Sequence, residues 1–540
     1  MSERNRRTNY MKQSGVRGVA SWLILLMFVI KMIYMSYKNG MFGMTFYAYS
    51  SALFMMVYIL CGFAVVPILK KMVFFQIHHG SYRNGTKVYR TVSGVMLTVA
   101  GVIAVILFLF SAKISLVLFG TGLCSFMIRI MAIAIMFWIP ALCLKGYMEG
   151  LGNSMPGIFS DVVAHSIGLA VTILFQPAFA EYGRKVAALV RQDSYAYAYA
   201  ACSGGLGLLI GGIVNFLLLL CIRTVFGKEL RKRIHGEEMR KTDSTQDILW
   251  NFFGSYIKTA FVEHIGVVLA FVLLVLYGRT PEKSEAGAGM IYTGIWVIIL
   301  PAALLAWQIV MPFVRHLSAI MKQADFHHAK ERMSFYLKLL SYSILPYFSA
   351  VFALAPLLGK VLFDTEQTDF ILFMRIGAVI GCLLCYGIFF RQAGNVLLKP
   401  YVRNIYAGLL GILGVIFWFV LDRSGMNPQL CFVYAYMLAC LSYILLTGFM
   451  TLKKIRIYNR LLRSVVLPVA SAVFASAVVF GVYILMEKIP GWITVLVCGV
   501  VVYLLHNIVI VLFDVFEQHE WTEIPAKKFP VSFARLIGKY

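Results

Sequence analysis

The apolar positions of this chain fall in long, almost unbroken runs, not in the three-and-four spacing of an amphipathic helix or the alternation of a half-buried strand. A hydrocarbon core of about 30 Å is crossed by roughly 20 apolar residues in a helix. Runs of that length predict spans over 19–37, 46–69, 92–112, 124–146, 157–179, 197–222, 255–277, 287–312, 335–357, 371–390, 403–421, 429–451, 464–486 and 491–513. The fold class that follows is all-α integral membrane, with about fourteen transmembrane helices. The run starting at 371 has the least defined end and extends as far as about 398.

The polar segments between the runs set the orientation. Lys and Arg collect in cytoplasmic loops. With the N-terminus inside, inner segments such as 70–91, 223–252, 313–334 and 453–463 hold about 34 Lys and Arg against about 10 outside. An even number of spans then predicts that both termini are cytoplasmic. The basic head Arg4, Arg6, Arg7, Lys12 and Arg17 precedes a full-length apolar run with no small-residue cleavage site, which reads as an uncleaved first helix. The longest inner connection, 223–252, carries Arg223, Lys228, Arg231, Lys232, Arg233 and His235 ahead of an acidic, Ser- and Thr-bearing stretch. It is expected to be a solvated linker with a membrane-surface helix.

Landmarks in the first half recur in the second. Pro67-Ile-Leu-Lys70 closes the second span and Pro312-Phe-Val-Arg315 the eighth; Leu118-Phe119-Gly120-Thr121 follows the third and Leu362-Phe363-Asp364-Thr365 the ninth. Gly152-Asn153 with Pro156 joins the fourth and fifth, and Gly394-Asn395 with Pro400 the tenth and eleventh. The offsets are 312 − 67 = 245, 363 − 119 = 244 and 394 − 152 = 242. A near-constant offset across six helices predicts two parallel six-helix bundles plus two C-terminal helices. The expected organisation is an N-terminal lobe 1–222, a basic cytoplasmic linker 223–252, a second lobe 253–452, and two additional spans with a cytoplasmic tail over 453–540.

Composition narrows the function classes. Of 540 residues, 60 % are hydrophobic and 14 % charged, with mean hydropathy +0.81, far from a soluble domain. The net charge of +25 follows from the inner loops and implies no nucleic-acid partner. All ten Cys lie inside or at the edge of apolar runs, where they pack as small hydrophobes. Cys382 and Cys385 form a CxxC without His or acidic neighbours, so core packing is expected there rather than metal or redox chemistry. No HExxH, phosphate loop or Gly-x-Ser-x-Gly elbow is present, and no catalytic residue, metal or cofactor is expected. A membrane-embedded glycosyltransferase is disfavoured, because no substantial outer loop carries paired acidic residues.

Several segments carry a family resemblance: Ala64-Val-Val-Pro67-Ile-Leu-Lys-Lys71 with Gly80-Ser-Tyr-Arg83-Asn84, then Lys145-Gly146-Tyr147-Met-Glu149-Gly150-Leu-Gly152-Asn153-Ser-Met-Pro156, and Leu300-Pro301 through Met311-Pro312. Together they span most of the first ten helices, and the Gly-Tyr-x-x-Gly-Leu-Gly-Asn-x-x-Pro stretch is the most specific. The chain resembles the multidrug, oligosaccharidyl-lipid and polysaccharide exporter superfamily, in its polysaccharide-biosynthesis branch of stage V sporulation protein B and lipid II flippase type. The resemblance implies two lobes that open alternately and export a polyprenyl-pyrophosphate-linked oligosaccharide or cell-wall precursor across the bacterial cytoplasmic membrane. It also implies monomeric function among membrane lipids. Two positions depart from the family pattern. Lys31-Met-Ile-Tyr34 stands where the family carries Gly-x-x-Tyr-Arg-x-Pro, and no proline lies around Ser255 to Phe261. A multidrug or cation antiporter of the same superfamily is the alternative and is expected to place acidic residues in its lobes. The departures also fit a non-transporting scaffold in envelope or spore assembly.

A charge inside the bilayer costs at least about 2.5–3.5 kcal/mol, so each one needs a cavity, a partner or an interface. The spans contain Lys31, Arg129, Asp161, Lys258, Glu263, Lys338 and Arg375, with His165 and His264. Lys31 and Lys258 open the two lobes at what the repeat makes corresponding places. Their ammonium groups suit a pyrophosphate through charge-assisted bonds, and snorkelling to an interface is the alternative. Arg129 and Arg375, toward the outer side, are further substrate-binding candidates or outward snorkellers. Glu263, His264 and Asp161 are ion-coupling candidates. Glu263 lies five residues from Lys258, off its helical face, so no intrahelical pair is expected. Asp161 and His165, four apart, share a face and are expected to form a hydrogen-bonded pair, serving helix capping or lobe packing rather than a proton relay. Gly204, Gly205, Gly207, Gly211 and Gly212 are expected to give span six one small-residue face.

Overall fold

A computed structural model describes residues 3–236, 242–457, 460–486, 488–524 and 528–536, and every regular element within them is helical. The side chains of Arg4, Arg6, Arg7, Lys12, Lys228, Arg231, Lys232 and Arg233 lie outside the described residues. The chain begins with α1 (Glu3–Tyr58), which passes through a π-helical turn at 59–63 into α2 (Val65–His78). From Gly15 this is one apolar stretch of 64 residues, about 96 Å at 1.5 Å per residue and some three times the hydrocarbon core. Gly40 breaks it with φ 65° and ψ 174°, a backbone conformation open to a residue without Cβ.

The elements that follow are α3 (Tyr82–Leu109), α4 (Ser111–Phe119), α5 (Ser125–Gly150), α6 (Met155–Val190), α7 (Ser194–His235), α8 (Thr245–Ile257) and α9 (Ile265–Arg279). Next come α10 (Gly287–Ile291), α11 (Val297–Lys322), α12 (Phe326–Phe363), α13 (Thr368–Leu397), α14 (Pro400–Arg423) and α15 (Pro428–Ile455). The last are α16 (Leu467–Leu485), α17 (Gly491–Leu512) and the short α18 (Lys528–Leu536). Among the described residues, twelve runs are long and apolar enough to cross a membrane, and the bent pair α8–α9 makes a thirteenth. Dividing the first run at Gly40 gives the fourteen spans expected from the hydrophobic pattern.

Within the segment 223–252, α7 continues to His235 and α8 starts at Thr245 with Ile248 and Phe252 buried, while Asp243 to Asp247 are exposed and 237–241 lie outside the described residues. Between them Asp243 is fastened to the α2–α3 region. Its carboxylate accepts from Gln76 at 2.9 Å, its carbonyl accepts from Lys87 Nζ at 2.6 Å, and its amide donates to Asn84. The seventh span, which lacks the proline of the family pattern, is nevertheless bent by 57°. A π-helical turn over 258–262, followed by the non-helical pair Glu263–His264, makes that break.

By packing, the chain forms two compact units, 1–289 with 427–432, and 290–426 with 433–540. The internal repeat is written in the helix boundaries of the two. Helix α2 ends at His78 and α11 at Lys322; α3 starts at Tyr82 and α12 at Phe326; α4 ends at Phe119 and α12 at Phe363. Each pair is 244 apart: 322 − 78, 326 − 82 and 363 − 119. Pro156 and Pro400 open α6 and α14 at the same offset. Gly120 and Asp364 take the left-handed conformation that ends α4 and α12, and Gly80 and Ala324 share positive φ.

Within the first unit, α6 and α7 pack most closely. Gly207 and Gly211 lie against Gly168 and Ala164, so close that a Cβ on Gly207 would collide with Thr172 Oγ1 and the Gly168 carbonyl. The α7 glycines do not share one face, however: Gly204 meets Met35 and Tyr47, Gly205 meets Met127, and Gly212 meets Trp138. Three helices are therefore seated on α7 through different glycines. None of the ten cysteines forms a disulfide, and eight of them are buried.

In the second unit, the chain after α17 folds back on α12. Lys338 and Glu520 form an ion pair at 2.9 Å with side chains only 5 % and 9 % exposed. Arg332 Nη1 bonds both oxygens of Glu523, at 2.9 and 2.6 Å. Phe516 and Trp521, themselves 5.0 Å apart, pack on Tyr342. The tail is part of this unit's core.

Candidate functional site

Lys31 lies on α1 nine residues before the Gly40 break, half-buried, with its ammonium 5.2 Å from the Tyr47 ring centroid and 5.9 Å from Phe28. Tyr47 is brought there by the break, which folds the second half of α1 into the unit's interior, where the Tyr47 side chain is almost fully buried. Aromatic faces attract a cation but do not neutralise it. Among the described residues no carboxylate pairs with Lys31. His165, on α6, is within electrostatic reach of Lys31, and also of Lys145 and Asp161.

Beneath it is a polar cluster that ties three helices together. The Asp161 carboxylate on α6 pairs with Lys145 of α5 and accepts from Asn215 Nδ2 of α7 at 3.3 Å. His165 does not bond that carboxylate, contrary to the pairing expected from their spacing. Its Nδ1–H donates instead to the Asp161 main-chain carbonyl at 2.8 Å, while its ring meets Trp138 edge-on at 5.5 Å. Nor does Asp161 cap α6, which starts at Ser154. It holds the lobe together, and an i, i+4 carbonyl simply lay nearer the imidazole than a carboxylate already engaged by an ammonium.

Lys258 is exposed at the start of the π-helical turn that bends the seventh span, and no ion pair or hydrogen bond engages it among the described residues. It is not the repeat counterpart of Lys31, because 258 − 31 = 227 falls 17 short of the 244 spacing of the helix boundaries. Glu263 and His264 form the break itself, half-buried, with His264 edge-on to Phe63 at 5.8 Å. Tyr256, just before the bend, donates to the Leu60 carbonyl at 2.7 Å, so the two π-helical turns of this unit are joined. Arg129 is exposed and donates from Nε to Ser111 Oγ at 2.8 Å, linking α5 to the start of α4. Arg375, in the second unit, places its guanidinium 5.8 Å from the Phe352 ring, with Nε buried and without a hydrogen-bond partner.

No protein-family model matches the sequence, and no curated protein matches it. Solved structures do. The lipid II flippase MurJ, in an inward closed conformation, superposes with a TM-score of 0.63 at 13 % identity, over 92 % of this chain and 98 % of that one. An inward-facing multidrug resistance MATE family transporter of the MOP superfamily superposes with a TM-score of 0.57 at 12 % identity, over 81 % of this chain and 99 % of that one. The chain has the fold of the multidrug, oligosaccharidyl-lipid and polysaccharide exporter superfamily.

Within this exporter fold, the hydrophobic pattern alone misses the most heavily bonded acid of the first unit. Glu149, buried at the end of α5, accepts from Arg17 of α1 at 2.6 Å and from Lys70 of α2 at 3.1 Å. It lies just past the predicted fourth span and so is not counted among the intramembrane charges. The signal that finds it is composition: Glu149 stands in a Gly-rich stretch, Gly146 to Gly152, between two basic inner segments with no nearer acid. Lys145 is missed likewise, one residue before the end of the same span. Asp161 and Glu149 are thereby paired with lysine or arginine, whereas among the described residues no carboxylate pairs with Lys31.

Proposed function

We propose that this protein is a membrane transporter of the flippase kind, moving a lipid-linked anionic headgroup, of the polyprenyl-pyrophosphate sugar class, across the bacterial cytoplasmic membrane by alternating access. The observation that carries the reading is Lys31, a half-buried ammonium on a membrane-spanning helix with aromatic neighbours and no anion of its own, in a fold shared over almost the full chain with a flippase. A pyrophosphate supplies the missing charge through charge-assisted bonds. Lys258, unpaired at the bend, is a second cation for the same headgroup, and Arg129 and Arg375 are secondary contacts.

Coverage also favours a flippase over a drug transporter. The match to the flippase extends over 92 % of this chain and that to the drug transporter over 81 %. The difference, 11 % of 540 residues or about 59, is comparable to the α16–α17 pair, Leu467 to Leu512. An antiporter further requires a carboxylate that exchanges ions; Asp161 and Glu149 are both held in ion pairs, which leaves Glu263 as the acid for that alternative. Both termini are assigned to the cytoplasm by the charge asymmetry of the loops.

The test is reconstitution in liposomes with a labelled polyprenyl-pyrophosphate sugar, following its movement from inner to outer leaflet. The parent protein is expected to move it, and Lys31→Ala to slow it by roughly tenfold or more, the worth of a lost charge-assisted bond. A parent without activity toward any such lipid overturns the proposal. An active parent matched by both Lys31→Ala and Lys258→Ala removes the cationic site.

A further inference from the structure

The last helix, α18, is amphipathic in a way the packed unit leaves unused. Pro530 and Ala534, four residues apart, are buried, and Ala534 closes a small crevice with Ile510 and Val511 of α17 and Phe516 and Trp521 of the tail. Phe529, Phe533 and Leu536 lie on a different face, at i, i+4 and i+7, within roughly 60° of one another. Phe529 and Phe533 stack at 6.4 Å, and Leu536 is 83 % exposed. One side of this short helix is therefore fastened to protein, while on the other Phe529 and Phe533 are half-buried and Leu536 is exposed.

Depth and charge say what covers that side. Ile510 and Val511 are the last turn of a membrane-spanning helix, so a helix resting on them lies at the boundary between hydrocarbon and water. From Ile524 to Tyr540 the sequence carries Lys527, Lys528, Arg535 and Lys539 and no acidic residue. Aromatic and leucine side chains beside lysine and arginine fit a helix lying in the plane of an anionic leaflet. The positive-inside pattern puts this end on the cytoplasmic side, where anionic lipids concentrate their field.

We propose that α18 is a membrane-surface helix that docks on anionic phospholipid, with Phe529, Phe533 and Leu536 entering the acyl boundary and the net positive charge of the segment 524–540 drawing it to the headgroups. The ion pairs of Glu520 and Glu523 fasten the same tail to α12, so the helix is positioned on the leaflet by the fold and does not search for it. This inference is independent of what the protein transports.

The experiment is hydrogen exchange of the full chain, followed by mass spectrometry of the segment 528–536, in three settings: detergent, nanodiscs of zwitterionic lipid, and nanodiscs with about 30 % phosphatidylglycerol. Exchange is expected to be slowed roughly tenfold in the anionic nanodiscs relative to the zwitterionic ones, and high salt is expected to abolish that difference. Lys528→Gln with Arg535→Gln should lose the dependence on lipid charge. Phe529→Ser with Phe533→Ser should exchange as fast in nanodiscs as in detergent while the global melting temperature holds. Equal exchange in all three settings overturns the proposal. So does protection that follows protein concentration instead of lipid charge, which assigns that side to a second copy of the chain.

Discussion

Lys31 and Lys338 show how differently one residue type is handled in the two units. Lys338 is buried against Glu520, and removing one member of a buried pair leaves the other as an uncompensated charge. Glu520→Ala is expected to lower stability by about 3 kcal/mol in thermal or chemical unfolding of the detergent-solubilised protein, whereas Lys338→Met with Glu520→Met recovers most of that loss. Lys31→Arg keeps the charge over Tyr47 and is expected to retain transport that Lys31→Ala loses; equal loss in both assigns Lys31 to packing instead. The candidate charges were legible in the sequence because each interrupts an apolar run. Their partners were not, since Asp161 is joined to Lys145 at sixteen residues' separation and Lys338 to Glu520 at 182. Glu149 escaped notice because it sits one turn beyond a hydrophobic window, where hydropathy alone gives no reason to count it.

At the scale of elements, the hydrophobic runs located every span, because the bilayer fixes helix length more tightly than any local propensity. The breaks were harder. Gly40 lies in the gap between the first two predicted runs, but no proline or glycine marks the π-helical turn at 258–262. The spread of α7 glycines over three neighbours likewise needs the neighbours to be known. Gly207→Val places a branched side chain where α6 and α7 nearly touch and is expected to cost about 1–3 kcal/mol, read as a lowered melting temperature. At the start of α12, Asp325 caps the helix by accepting from the His328 amide at 3.0 Å. That bond, and then the one with the His328 ring, hold its carboxyl below its ordinary value of 3.8. A depressed carboxylate stabilises the folded state fully above that ordinary value and loses its contribution as pH falls through the folded one. Acid titration of the melting temperature should therefore be steeper in the parent than in Asp325→Asn, and identical profiles would remove the cap from the acid response.

For the molecule as a whole, the repeat was the most informative feature of the sequence, and helix boundaries 244 residues apart give it structural form. The same regularity denies Lys31 and Lys258 the equivalence their places at the head of each lobe had implied. Alternating access predicts that the surroundings of Lys31 are wetted from one side at a time. In a Cys221→Ser background, which removes the exposed native thiol, Lys31→Cys should react with a membrane-impermeant maleimide at a rate that substrate changes; a thiol inert from both sides sinks the chamber. The joining of Lys338 to Glu520 also bears on biogenesis. Those residues are 182 apart, and at about 5–20 residues per second a ribosome needs some ten to forty seconds to make the glutamate after the lysine. Through that interval the ninth span carries an uncompensated cation, which the segment after α17 relieves; a stop codon between α17 and Glu520 would leave Lys338 buried without its partner and the bundle open to quality-control proteolysis.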